Sequence, residues 1–189
     1  MFVAIPVPEI IKDSLQDVQR ELQRLLPETA IRWTPREQIH LTLRFFGNVG
    51  SERLEELGPI LHSICNEAAA FRLQGCGLGV FPERRFSRVI WAGVQDDKSE
   101  LAALQGKIET ATAAFGEKPE KKSFSAHLTL GRVKEIRSLD AAALHRFMET
   151  QTAGVCGQWP VNELELIRSE LGNAGAKHSL ISRHSLGRG

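Results

Sequence analysis

Two matched pairs of side chains stand out as able to do chemistry. His40-Leu41-Thr42-Leu43 and His127-Leu128-Thr129-Leu130 are the same tetrapeptide, and ordinary residue frequencies produce a given four-residue pattern only about once in 10⁵ windows. On a β-strand, side chains alternate between faces. Each copy therefore presents an imidazole beside a hydroxyl on one face and buries two leucines on the other. Two such strands set against each other would make one site from two matching halves.

Opposed histidines suit general acid–base work near neutral pH, one neutral to accept a proton and one protonated to give it. Threonine hydroxyls rotate to donate to an anionic oxygen. Two His/Thr pairs can thus grip a tetrahedral centre with two non-bridging oxygens, one hydroxyl to each, while the histidines serve the attacking and leaving oxygens. A phosphate ester has that geometry, and preplaced donors reward its developing charge. The arrangement needs no metal and no covalent nucleophile. Zinc on His40 and His127 would have to use threonine, a poor ligand, and no other Cys, His or Asp pair has ligand spacing. A serine or threonine nucleophile lacks an acidic residue near either motif to orient the histidine, and no Gly-x-Ser-x-Gly elbow occurs.

Alternating and helical patterns supply the elements that must hold these strands. Phe2 to Ile5 reads as a buried strand stopped by Pro6 and Pro8. Ile11, Leu15, Val18, Leu22 and Leu25 form one stripe of an amphipathic helix, ended by Pro27. Short and long strands are expected over 31–33 and 38–46. Ser51 starts a helix that turns Leu54, Leu57, Leu61 and Ile64 inward. Strands over 71–80 and 88–94 are joined by the loop 81–87. Leu101, Leu104, Ile108 and Ala111 mark a third helix. The second motif lies on a strand over 124–133, followed by a helix over 139–148. Strands over 161–169 and about 176–182 close the chain around a Gly172–Gly175 turn.

The order strand, helix, motif strand, helix occurs twice. Val3 and Val89, Leu15 and Leu101, Val18 and Leu104, and Leu22 and Ile108 each stand 86 positions apart, and the two histidines stand 87 apart. Such a repeat predicts two similar lobes about a pseudo-two-fold axis, with the motif strands facing across a cleft. No linker interrupts the chain, so residues 1–189 read as a single bilobal α+β domain.

Composition excludes rather than selects. An apolar share of 42%, a charged share of 25% and a net charge of +1 are those of an ordinary globular chain, with no global field for nucleic acid or membrane. No apolar run approaches a membrane span. Met1 to Pro6 is too short for a signal peptide. Cys65, Cys76 and Cys156 form no CxxC pair, so reduced thiols in a cytoplasmic protein are expected. Basic residues cluster at Arg84, Arg85 and Arg88 and at Lys118, Lys121 and Lys122, with Arg183 and Arg188 in the tail. The interior clusters could border the cleft and bind polynucleotide phosphates. Trp33, Trp91 and Trp159 could stack bases or fill the core. His62, His145, His178 and His184 have no matching partner and are assigned solvent-exposed or structural places. Strict alternation turns Arg132 away from His127 and Thr129.

The doubled motif with its flanks, Arg32-Trp33, His40 to Gly47 and His127 to Arg132, resembles the two-histidine (2H) phosphoesterases. Within them it is most similar to the bacterial RNA 2′,3′-cyclic phosphodiesterases, also called 2′–5′ RNA ligase-like proteins. The likeness extends to Phe2–Pro6, Gly77–Pro82, Arg88–Trp91 and Arg168–Leu171. It implies antiparallel sheets lining a central cleft with helices outside. It also implies hydrolysis of a 2′,3′-cyclic phosphate at an RNA 3′ end to a 2′-phosphate. By motif position His40 is the proton donor to the 3′ oxygen and His127 the acceptor from water. Thr42 and Thr129 hold the phosphoryl oxygens. The partner is RNA or an oligoribonucleotide, with no cofactor, metal or membrane, and the protein is expected to be a monomer. Some relatives also join RNA ends through a 2′–5′ linkage. Two departures are Ala126, where relatives often have proline, and the absence of the tyrosine they often carry near His178. The other readings are a 2′–5′ phosphodiesterase or ligase acting on another nucleotide, and a nucleotide-binding module without useful catalysis.

Overall fold

The computed structural model describes residues 1–82, 88–116, 123–150, 157–172 and 175–187. The order is β1 (Phe2–Pro6), α1 (Glu9–Leu25), β2 (Ile31–Trp33), a 3₁₀ turn (Arg36–Gln38), β3 (His40–Phe45), α2 (Ser51–Glu67), β4 (Phe71–Phe81), β5 (Val89–Gln95), α3 (Glu100–Ala111), β6 (His127–Val133), α4 (Ser138–Thr150), β7 (Gln158–Val161), β8 (Glu163–Gly172) and β9 (Gly175–Ser185). Helices form where the apolar stripe is deep: Ile11, Leu15, Val18 and Leu22 of α1 and Leu57, Leu61 and Ile64 of α2 are buried. Two expected inward residues are instead exposed. Leu25 is the last residue of α1, and the extended Leu26 that follows is buried in its place. Ala111 ends α3, and buried Thr112 succeeds it. No described helix is long and apolar enough to cross a membrane.

The strands form one curled antiparallel sheet in the order β7-β4-β5-β6-β3-β1-β8-β9, with β2 also paired to β6. That order is a palindrome of the repeat: β1 and β3 flank the centre on one side as β5 and β6 do on the other. The centre is narrow. Among the described residues, Leu41 opposite Leu128 is the single registered pair between β3 and β6. Strand β7 escapes the sequence reading because Pro160 interrupts it. Proline removes a ladder donor and is confined to edges, and β7 is the edge strand, burying Trp159 and Val161 between exposed Gln158 and Pro160.

Register sharpens the repeat. Val3 pairs with Arg44 and Ala4 with Thr42, so Leu43 is bulged out of the ladder. Ile90 pairs with Gly131 and Trp91 with Thr129, so Leu130 is bulged in the same way. Hence Val3 corresponds to Ile90 and not to Val89, and the inner strands of both halves share the 87-residue offset of the histidines. The helices keep 86; one residue is absorbed between strand and helix.

The sheet packs its leucine face under the helices, where Leu41, Leu43, Leu128 and Leu130 join the main core. A small separate cluster, Phe2, Ala4 and Ile167, lies on the opposite face. Each bulge is held by a helix of the other half. Gln19 of α1, itself buried, donates to the Leu130 carbonyl at 2.8 Å and to the Thr34 carbonyl at 2.9 Å. Gln105 of α3, 86 residues later, donates to the Leu43 carbonyl at 3.4 Å. The Leu43 bulge also turns Arg44 into the core. There its guanidinium donates to the Glu109 carbonyl at 2.6 Å, the Thr112 hydroxyl at 2.8 Å and the Phe115 carbonyl at 3.3 Å. A cation at the carbonyl end of α3 matches the helix dipole.

Candidate active site

With Leu41 opposite Leu128 in antiparallel strands, the next residues outward are His40 beside Thr129 and Thr42 beside His127. All four are half-buried, while the leucines between them are fully buried. The expected facing is thus realised: two imidazoles and two hydroxyls share the face opposite the core. The same face of the flanking strands carries Pro6 and Ala4 opposite His40 and Thr42, and Gly93 and Trp91 opposite His127 and Thr129.

The His40 ring stacks on Phe2, with centroids 4.6 Å apart and planes 19° from parallel. The edge of His178, from β9, meets it at 5.4 Å. Burial pushes the His40 imidazole down to about 4, and the like charge of His178 adds to this, against a hydrogen bond to the Gln38 backbone that favours the proton. His40 is therefore neutral at pH 7 in the unliganded protein.

His127 sits differently. Its Nδ1 lies 2.7 Å from the Ser125 carbonyl. A carbonyl only accepts, so Nδ1 carries the proton and Nε2 is left to exchange one with a ligand. Phe81 and Trp91 approach the ring at 5.1 Å and 6.4 Å. The Trp91 indole lies flat across β4 because Gly79 opposite it has no side chain; a Cβ there would run into the ring.

Arg132 does not lie where strict alternation puts it. Alternation sends it to the leucine face, but the Leu130 bulge consumes one residue, and the pairing of Arg132 with Val89 returns it to the face of Trp91 and Thr129. Arg32 of β2 is registered opposite Arg132. Like charges directly opposite repel, so an anion between these two exposed guanidiniums would ease the repulsion. Neither arginine belongs to the motif, and only the bulge reveals Arg132.

His178 is likewise a site residue that sequence reasoning missed. It lines a cavity of about 230 Å³ together with His40, Lys12, Glu37, Glu165 and Arg183. The resemblance marks its neighbourhood only as one where relatives often carry tyrosine, and its place in the site depends on the register of β8 with β9. Of the other histidines, His184 is buried against Ser182 at 2.9 Å and His62 bonds Asn66 at 3.0 Å. Trp159 is core. The basic residues Arg84, Arg85, Lys118, Lys121, Lys122 and Arg188, and also Cys156, lie outside the described residues. Cys65 and Cys76 are free thiols, and burial raises the first to about 11.

Paired His-x-Thr strands at the centre of a pseudo-symmetric antiparallel sheet are the mark of two-histidine phosphoesterases. The chain belongs to the LigT-like phosphoesterase family, whose model matches residues 5–91 and 93–178, one motif in each segment. It is 32% identical over 174 residues to the RNA 2′,3′-cyclic phosphodiesterase of Methanothermobacter thermautotrophicus, covering 92% of this chain and 91% of that one. The enzyme of the same name from Aeropyrum pernix is 40% identical over 105 residues, 56% of this chain and 58% of its own. Among solved structures, TT0787 of Thermus thermophilus superposes with a TM-score of 0.82 at 27% identity, covering 99% of this chain and 97% of that one. LigT of E. coli, complexed with 3′-AMP, shares the fold with a TM-score of 0.77 at 23% identity, covering 98% and 96%.

Proposed function

We propose that this protein hydrolyses the 2′,3′-cyclic phosphate at an RNA 3′ end to a 2′-phosphate, without a metal ion. The observation that carries the reading is the meeting of both His-x-Thr pairs at the Leu41–Leu128 crossing. The names of the relatives, RNA 2′,3′-cyclic phosphodiesterases, support the substrate class. Water attacks phosphorus and passes a proton to Nε2 of His127, whose Nδ1 proton is already committed to the Ser125 carbonyl. The bond from phosphorus to the 3′ oxygen breaks, and His40 supplies the proton to that oxygen. Thr42 and Thr129 donate to the two non-bridging oxygens as negative charge builds on them. Arg32 and Arg132 attract the anionic end of the RNA. A 5′-hydroxyl in place of water turns the same steps into 2′–5′ joining.

One observation favours exchanged roles. His40 is neutral in the unliganded protein, with its pKa near 4, which fits a proton acceptor. In the first assignment the phosphodiester anion must raise His40 on binding, as an opposite charge at contact does. The pH dependence of kcat/KM reports the free protein and separates the two. If His40 is the acceptor, the acid limb falls near pH 4. If it is the donor, that group governs the basic side, and kcat/KM declines with rising pH from about 4 upward.

The founding experiment is turnover of an oligoribonucleotide ending in a 2′,3′-cyclic phosphate, with EDTA present and the product isomer identified. A 2′-phosphate product is expected. A 3′-phosphate, loss of turnover in EDTA, or tight binding without turnover would each overturn the reading.

A further inference from the structure

Outside the two motifs, one titratable side chain is built into the site. His178 packs edge-on against both rings of the His40 stack, 5.2 Å from Phe2 at 70° and 5.4 Å from His40 at 62°. The three rings form a closed triangle, so His40 is fixed on one side by stacking and on another by an edge. Strand β9 is held there by the segment that also holds His40. The Gln38 backbone bonds the His40 ring, while its side-chain amide donates to the Ala176 carbonyl at 2.7 Å. Ala176 stands two residues before His178, on the same face of the strand. The Arg32 guanidinium lies against Gly175, where a side chain would collide with it. The start of β9 is thereby docked onto the site.

We propose that His178 is a positioning residue for the reaction: clamped through Gln38, it fixes the His40 ring and governs the pH range in which His40 takes up a proton. The proposal rests on the acid–base reading of His40 above. Other charged groups face this pair from every packed element: Lys12 from α1, Glu37 from the 3₁₀ turn, His127 from β6, Glu165 from β8 and Arg183 from β9. Arg183 and Glu165 are bonded to each other at 2.9 Å, and Lys12 bonds Glu9 at 2.9 Å. Imidazole is the side chain whose ordinary titration falls between pH 5 and 8. Of the groups touching His40, His178 is therefore the one able to change the local charge there. Two imidazoles in contact do not both accept protons easily; the first enters readily and the second is resisted. Burial holds His178 itself below the ordinary imidazole value. The pair thus carries at most one proton over most of the working range.

The test uses His178→Phe, which keeps a ring but removes the charge, His178→Ala, which removes both, and Gln38→Ala, which loosens the clamp. The decisive readout is the titration of His40 in the free protein, followed by NMR on histidine-labelled chain and needing no substrate. Its midpoint is expected to rise in His178→Phe and His178→Ala. With cyclic-phosphate-ended RNA, kcat is expected to fall about tenfold or more in His178→Ala and Gln38→Ala through lost orientation, with KM nearly unchanged. His178→Phe should retain most of kcat but displace the pH profile. If His40 titrates in both His178 variants as it does in the wild type, the proposal is overturned, whatever kcat does. If the wild type shows no turnover while the titration shifts as expected, the activity assignment fails and the pairing of His40 with His178 stands.

Discussion

Both halves build the same backbone around their histidine and furnish it with opposite surroundings. In the first half, Phe2 and His178 close over His40, and burial drives off its proton. In the second, the Ser125 carbonyl fixes the His127 tautomer, and Phe81 and Trp91 stand as a wall beside it. The difference begins at pseudo-equivalent positions, where Ala4 lies opposite Thr42 but Trp91 opposite Thr129. Repetition therefore supplies two positioned imidazoles, and divergence around them supplies each with different partners. Acid–base chemistry uses one imidazole with a proton and one without.

The comparison breaks most sharply at the histidines. His40→Ala and His127→Ala are each expected to lower kcat by about 10²–10⁴, the span of positioned acid–base groups, with KM little altered. Near wild-type turnover in either variant would leave one half without a catalytic role. Next come the hydroxyls. Thr42→Ala and Thr129→Ala should each cost roughly 10²–10³ in kcat. A loss under about threefold in both would reduce the threonines to strand residues.

A third expectation concerns stability. His40 has a folded value near 4 against an ordinary 6.5, so its contribution is fully present above pH 6.5 and is lost as pH falls through 4. At roughly 1.4 kcal/mol per pH unit this amounts to about 3 kcal/mol. Urea unfolding of wild type and His40→Phe at pH 7 and pH 4.5 measures it. The variant should lose less stability on acidification, and equal losses would refute the buried neutral imidazole. The smallest effect separates the two bulge contacts. Gln19→Leu removes two hydrogen bonds, leaving the Leu130 carbonyl with the Thr34 N–H alone, and should cost about 1–3 kcal/mol. Gln105→Leu, at the longer and half-exposed contact, should cost less, and a reversed order would contradict the geometry.

The facing of the motif residues was legible because strand alternation and buried leucines point the same way in both copies. The bulges were not. Neither Leu43 nor Leu130 has a neighbouring glycine or proline that marks a ladder slip, except Gly131, which reads equally well as a packing residue. The cost was a misplaced Arg132 and a one-residue error in aligning Val3. His178 lies 51 residues beyond His127 and enters the site only through the β8–β9 register and the Gln38 clamp, both of which are tertiary facts. Pro160 hid an edge strand for the opposite reason, because it is a true strand breaker that an edge can tolerate.

The crossed glutamines have a consequence for the origin of the repeat. Gln19 in the first half serves the bulge of the second motif, and Gln105 in the second half serves the bulge of the first. A polypeptide of half this length would have its own bulge and its own glutamine but no way to join them, since each reaches across the pseudo-axis. It would satisfy both by embracing a second copy of itself, as a two-fold homodimer whose active site exists only in the assembled state. Fusing the copies would make that assembly independent of concentration. It would also free each side of the site to acquire its own partner for its histidine, a freedom that identical subunits do not have.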